Sequence, residues 1–111
     1  MRMKKVQILM STYNGQTYLR KQIESILRQT YQNIELVIRD DGSKDETVSI
    51  LREYEQQFKN IRVIYGKNVG VNNSFFLLLE QCNADYIACA DQDDIWLPEK
   101  IQSAVEKLDK Y

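Results

Sequence analysis

The sequence predicts an α/β domain with a mostly parallel sheet and flanking helices. Three observations carry this. Four short apolar runs have the length and composition of strands. Each is followed by a stretch with apolar residues at helical spacing. The runs are largely apolar rather than alternating, as expected of strands covered on both faces. Four βα units in a row then imply right-handed crossovers and one continuous sheet.

The elements follow in order. Val6 to Met10 ("VQILM") reads as the first strand, ending at Ser11-Thr12-Tyr13-Asn14-Gly15. Leu19, Ile23, Ile26 and Leu27 form the stripe of a first helix. Glu35 to Arg39 ("ELVIR") is the second strand, stopped by Asp40-Asp41-Gly42. Ser43 with Glu46 three residues on is a capping-box pattern for a second helix. That helix carries Val48, Leu51 and Phe58, with Glu55 weakening its inner face. Ile61 to Tyr65 ("IRVIY") is the third strand, and Gly66 to Gly70 breaks it. Asn73 to Gln81 reads as the third helix. Tyr86 to Ala90 ("YIACA") is the fourth strand. Pro98 suits the first turn of a fourth helix, whose stripe is Ile101, Ala104, Val105 and Leu108.

At 111 residues the chain is expected to be one domain, and 43% hydrophobic content supplies a core. With 15 basic and 16 acidic residues, the net charge of −1 gives no drive toward nucleic acid or an anionic membrane. The absence of histidine excludes imidazole catalysis and His-ligated metal. Cys82 and Cys89 form no CxxC and read as reduced, buried thiols of a cytoplasmic protein. No apolar run is long enough for a membrane span.

The polar clusters all follow strands. In open α/β sheets ligands bind beyond the carboxyl ends of the strands. Ser11 to Asn14, Asp40 to Ser43, Gly66 to Gly70 and Asp91 to Asp94 would therefore meet at one edge. Asp91 and Asp93 are two apart, so in extended backbone both point to one side. Such a pair suits a hard cation, Mg²⁺ or Mn²⁺, bound through oxygen together with substrate phosphate. The alternative is a set of capping or solvated aspartates. Asp40 and Asp41 read as a turn in which at least one carboxylate is a ligand, since a turn needs only one. Tyr13 is placed to stack on a nucleobase or to pack at the edge. Lys67 either meets phosphate or is solvated, and Asn68 and Gly70 shape their loop. Trp96 reads as core packing.

The segments "ILMSTYNGQTYLRKQIESILRQTYQNIELVIRDDGSKDET", "NVG" and "DQDD" resemble family two glycosyltransferases of the GT-A fold, over about residues 4 to 111. The resemblance implies the Rossmann-like, nucleotide-binding half of that fold. It also implies inverting sugar transfer from a nucleotide-diphosphate donor, usually with a divalent metal. It places Ser11 and Tyr13 in the base-binding loop, Asp40 on the base, with Asp41 beside it, and Lys67, Asn68 and Gly70 near the donor. Asp91-Gln92-Asp93 matches the DXD motif, with Asp91 near the ribose and Asp93 on the metal. Asp94 matches a further acidic position without an assigned role.

"DQDDIWLPEK" is similar to the motif of bacterial rhamnosyltransferases of surface polysaccharide. That points to dTDP-rhamnose, or otherwise a UDP-sugar, as donor. The acceptor would be a saccharide or lipid-linked saccharide, at the inner face of a membrane. No residue matches the family's catalytic carboxylate, so the chain is expected to be the donor-binding part of a longer enzyme. A non-catalytic sugar-nucleotide-binding module is the alternative. Ser-Thr-Tyr-Asn after strand one, where an acidic pair would stand, argues against a phosphate-signalling receiver domain. A dehalogenase-type phosphatase is excluded because its Asp-x-Asp lies on its first strand.

Overall fold

The computed structural model describes residues 3–91 and 94–110. The order is β1 (Val6–Thr12), α1 (Gln16–Leu27), β2 (Ile34–Asp40), α2 (Thr47–Gln57), β3 (Ile61–Tyr65), α3 (Val71–Leu79), β4 (Tyr86–Ala90) and α4 (Lys100–Asp109). All pairings are parallel, in the spatial order β3-β2-β1-β4. The chain winds outward from β1 to β3, then returns across β1 to lay down β4. With crossovers of one hand, that reversal moves the connecting helix to the opposite face. The packing agrees. Val6, Ile8 and Met10 of β1 and Leu36 and Ile38 of β2 share a core with residues of α1, α2 and α4. On the other face Leu9 and Val37 meet Leu78 of α3.

Register sets the site. Thr12 lies opposite Asp40, Asp40 opposite Tyr65 and Met10 opposite Ala90. The four strands therefore end nearly level, and the loops that leave them meet at one edge.

Several boundaries differ from the sequence expectation. α2 begins at Thr47 without a capping box. Ser43 is drawn away: its hydroxyl donates to Asp40 Oδ1 at 2.6 Å. Asp45 caps instead, accepting from the Thr47 N–H at 2.9 Å. α3 begins at Val71 rather than Asn73, because Gly70 adopts φ 91° and its carbonyl accepts the Ser74 N–H. Pro98 precedes α4, with its carbonyl accepting from the Thr30 N–H at 2.9 Å. Glu55 is used rather than tolerated, accepting from the Val63 N–H on edge strand β3 and from the Tyr65 hydroxyl. Both cysteines are free thiols, but Cys82 is only half-buried and Cys89 is exposed. β4 is an edge strand and α3 does not cover its outer positions, so Ile87 is also exposed. Trp96 is core, as expected, with the Lys100 ammonium 4.5 Å from its ring centroid. Among the described residues no helix is long and apolar enough to cross a membrane.

Two buried groups have no hydrogen-bond partner among the described residues, the Trp96 indole N–H and the Gln22 amide. Gln22 is fully buried, and neither amide atom has a partner among the described residues. An unpaired buried amide costs about 1–3 kcal/mol. Gln22→Met keeps the unbranched shape and removes the polar atoms. We expect it to raise the melting temperature by several degrees, measured by calorimetry; a lower melting temperature would show that the amide is satisfied.

Candidate functional site

The loops after β1 and β2 are stitched by the first aspartate of the Asp-Asp pair. Asp40 is buried, and its carboxylate accepts from the Thr12 hydroxyl at 2.8 Å and from the Ser43 hydroxyl and N–H. The Ser43 hydroxyl in turn accepts from the Asn14 N–H, and the Asn14 side-chain oxygen from the Lys44 N–H. Asn14 holds φ 49°, a conformation open to asparagine at low cost. Asp40 is thus engaged in joining two loops.

Asp41 does different work. Arg39 Nη1 donates to Asp41 Oδ1 at 2.8 Å, within a pair that is almost fully buried. The backbone N–H groups of Val69 and Gly70 donate to the two oxygens of Asp41 at 2.8 and 3.1 Å. Burial alone would raise the Asp41 carboxyl. The N–H of Val69, the Arg39 guanidinium and the N–H of Gly70 outweigh it and hold the group below the ordinary carboxylate range. Asp41 therefore stays ionised and anchors the 66–70 loop. That loop approaches Gly42 so closely that a Cβ there would lie 3.0 Å from the Asn68 nitrogen; Gly42 also holds φ 80°. Only glycine meets both demands without strain.

Between these loops lies a cleft of about 400 Å³, lined by Ser11, Tyr13, Asp41, Asn68, Gly70, Val71, Phe75 and Asp91. It spans the carboxyl ends of β1, β2 and β4, and so sits at the point where the strand order reverses. The structure brings Ser11, Tyr13, Asp41 and Asp91 together there. Ser11 is nearly buried, and its hydroxyl donates to Ser74 Oγ at 2.7 Å. Tyr13 is 43% exposed on the rim. Asp40 does not line the cleft, and Lys67 contributes its backbone: the exposed residue's carbonyl accepts from Arg39 Nη2 at 3.0 Å. Asp93, the expected metal ligand, lies outside the described residues, as does Gln92. Among the described residues no three acidic or cysteine side chains gather as a metal cluster.

The residues that sequence reasoning passed over are Arg39, Ser74, Val71 and Phe75. Arg39 has a visible signal: the one cation in its strand, directly before two aspartates. Ser74 had none, being one small residue in an apolar helix.

Fold and cleft together define an α/β domain of the doubly wound type, with a cleft at the topological switch point, where sheets of this kind bind ligands. The chain belongs to glycosyl transferase family 2, whose model matches residues 7–111. The dTDP-rhamnosyl transferase RfbG of Shigella flexneri is 36% identical over 105 residues, covering 89% of this chain and 36% of its own length. TarS of S. aureus, solved in complex with UDP-GlcNAc, superposes with a TM-score of 0.87 at 25% identity, covering 96% of this chain and 31% of that one. The mannosyltransferase PcManGT from Pyrobaculum calidifontis, in complex with GDP-Man and Mn²⁺, shares the fold with a TM-score of 0.83 at 21% identity, over 95% of this chain and 32% of its own. The chain spans about a third of the length of the curated relatives it matches.

The Asp41 geometry fixes an acid response. The folded carboxyl titrates below its ordinary value of 3.8. Its contribution to stability is therefore complete above that value and is lost as pH falls through the folded one. Asp41→Asn leaves Arg39 buried without a counter-charge and should cost about 3–5 kcal/mol at neutral pH. We expect the gap in melting temperature between parent and variant to be widest at neutral pH and to narrow as pH falls below the ordinary carboxylate value. A gap that widens on acidification would contradict the ionised, anchoring role.

Proposed function

We propose that the cleft binds the nucleoside diphosphate of a sugar donor, and that the chain is the donor-binding part of an inverting glycosyltransferase. The observation that carries this is the convergence of Tyr13, Asp41 and Asp91 from the ends of three different strands onto one cleft at the switch point. An aromatic ring on the rim offers a stacking face for a base. An ionised carboxylate accepts hydrogen bonds and cannot donate them, which suits a base edge bearing a ring N–H. We assign that contact to Asp41 rather than Asp40, because Asp41 faces the cleft while Asp40 is engaged by Thr12 and Ser43. Ser11 lies beside them in the base-binding loop. Lys67, exposed next to Asn68, is left a role toward phosphate at the rim.

The donor set also fits a divalent cation. Asp91 supplies a carboxylate at the cleft, and all candidate ligands are oxygens, as Mg²⁺ and Mn²⁺ prefer. Asp91 and Asp93 would hold the ion, which would neutralise the charge of the diphosphate leaving group. The donor is read as dTDP-rhamnose or a UDP-sugar, supported by the likeness to RfbG and to TarS. The acceptor is read as a saccharide or lipid-linked saccharide of the cell surface. We assign the general base of the transfer to no residue of this chain.

Calorimetric titration with UDP, dTDP and GDP, each with Mn²⁺ and with EDTA, tests the reading. At least one should bind the parent, and EDTA should weaken it. Tyr13→Ala should lose about 1–3 kcal/mol of affinity. Asp93→Asn should abolish the Mn²⁺ effect while leaving the melting temperature of the free protein unchanged or slightly raised. No binding of any of the three, or a Mn²⁺ effect that survives in Asp93→Asn, would refute the assignment.

A further inference from the structure

Arg39 is the only cation in β2. Alternation along that strand turns Ile34, Leu36 and Ile38 toward the large core, so Arg39 faces α3 with Glu35 and Val37. It is buried there, 5% exposed, close behind the cleft. Its planar fork spreads over three partners. Nη1 donates to Asp41 Oδ1 at 2.8 Å and to Ser74 Oγ at 3.1 Å. Nη2 donates to the Lys67 carbonyl at 3.0 Å. Ser74 Oγ also accepts from Ser11. One guanidinium therefore touches Asp41 directly, Ser11 through one hydroxyl, and the loop that carries Asn68 and Gly70.

Gly66 shows that the surroundings are built around this group. Its φ is ordinary, so no backbone demand requires glycine there. A Cβ at that position would lie 2.2 Å from Arg39 Nη2 and 2.6 Å from Cζ. The loop must leave this position bare to admit the guanidinium.

We propose that Arg39 is a positioning residue for nucleotide recognition, acting through Asp41. It holds the Asp41 carboxylate in the one orientation that serves both the 66–70 loop and the cleft. It also supplies the counter-charge that lets the carboxylate remain ionised out of water. Lysine does not replace it, because a single ammonium cannot meet Asp41, Ser74 and the Lys67 carbonyl in one plane. The proposal rests on the reading of the cleft as a nucleotide site.

The test is a double-mutant cycle in binding, with UDP, dTDP and GDP in the presence of Mn²⁺ as probes. The proteins are parent, Arg39→Lys, Asp41→Asn, the double variant and Gly66→Ala, each checked for a cooperative melt. Gly66→Ala leaves the charge of Arg39 intact and displaces only its fork. It carries the cycle with Asp41→Asn if Arg39→Lys does not fold. We expect Arg39→Lys and Gly66→Ala each to weaken the best nucleotide about tenfold or more. In the Asp41→Asn background either change should cost less than about threefold further, because the group through which Arg39 acts is already altered. Losses that multiply in the double variant would mean that Arg39 acts structurally and not through Asp41, and would overturn the proposal alone. So would binding by Arg39→Lys and Gly66→Ala within about twofold of the parent. A parent that binds none of the three nucleotides removes the nucleotide reading, and the proposal with it.

Discussion

A carboxylate and a guanidinium taken out of water must find each other, and in this chain the pair is Asp41 and Arg39. The two residues leave the end of β2 on one side of the sheet, and their ion pair decides where the next three segments go. Asp41 draws in the N–H groups of Val69 and Gly70, Arg39 draws in the Lys67 carbonyl, and Ser74 links Arg39 to Ser11 of β1. The cleft is the space this network leaves open. Buried ion pairs add little net stability over apolar packing, while leaving either partner alone is costly. The pair is better understood as fixing geometry than as stabilising the fold.

The neighbouring Asp40 shows how two adjacent, identical residues divide into separate tasks. Its partners are hydroxyls and one N–H from the β1 and β2 loops, so it is held by neutral donors alone. It locks the Tyr13 loop against the start of α2. Asp41 locks the α3 loop. The cleft lies between two loops that are each held by one carboxylate.

The order of elements is legible because each strand is a short, largely apolar run and each helix carries an apolar stripe. β3 and β4 lie where their apolar runs place them. Boundaries moved where a side chain had a tertiary partner that local pattern does not reveal. Ser43 left its expected capping role for Asp40, and Asp45 took it over. The convergence of the four polar clusters at one edge followed from parallel topology alone. The division of labour between Asp40 and Asp41 did not, since it depends on Thr12 and Arg39 pointing to opposite sides of their strands. Cys89 departs from the expectation for a related reason: an apolar run implies cover on both faces, but β4 is an edge strand whose outer positions are left uncovered. The same gap leaves Ile87 of β4 exposed, and Phe76 and Leu79 of α3 are exposed as well.

We propose that the carboxyl edge of the sheet is a nucleoside diphosphate site. Amide chemical-shift mapping tests it most directly, by titrating the labelled protein with UDP, dTDP and GDP in the presence of Mg²⁺. We expect the largest shifts on Ser11, Tyr13, Asp41, Asn68, Gly70 and Asp91, with little change at the opposite edge around Lys5, Asn33 and Asn60. Shifts confined to that opposite edge, or absent with all three nucleotides, would contradict it.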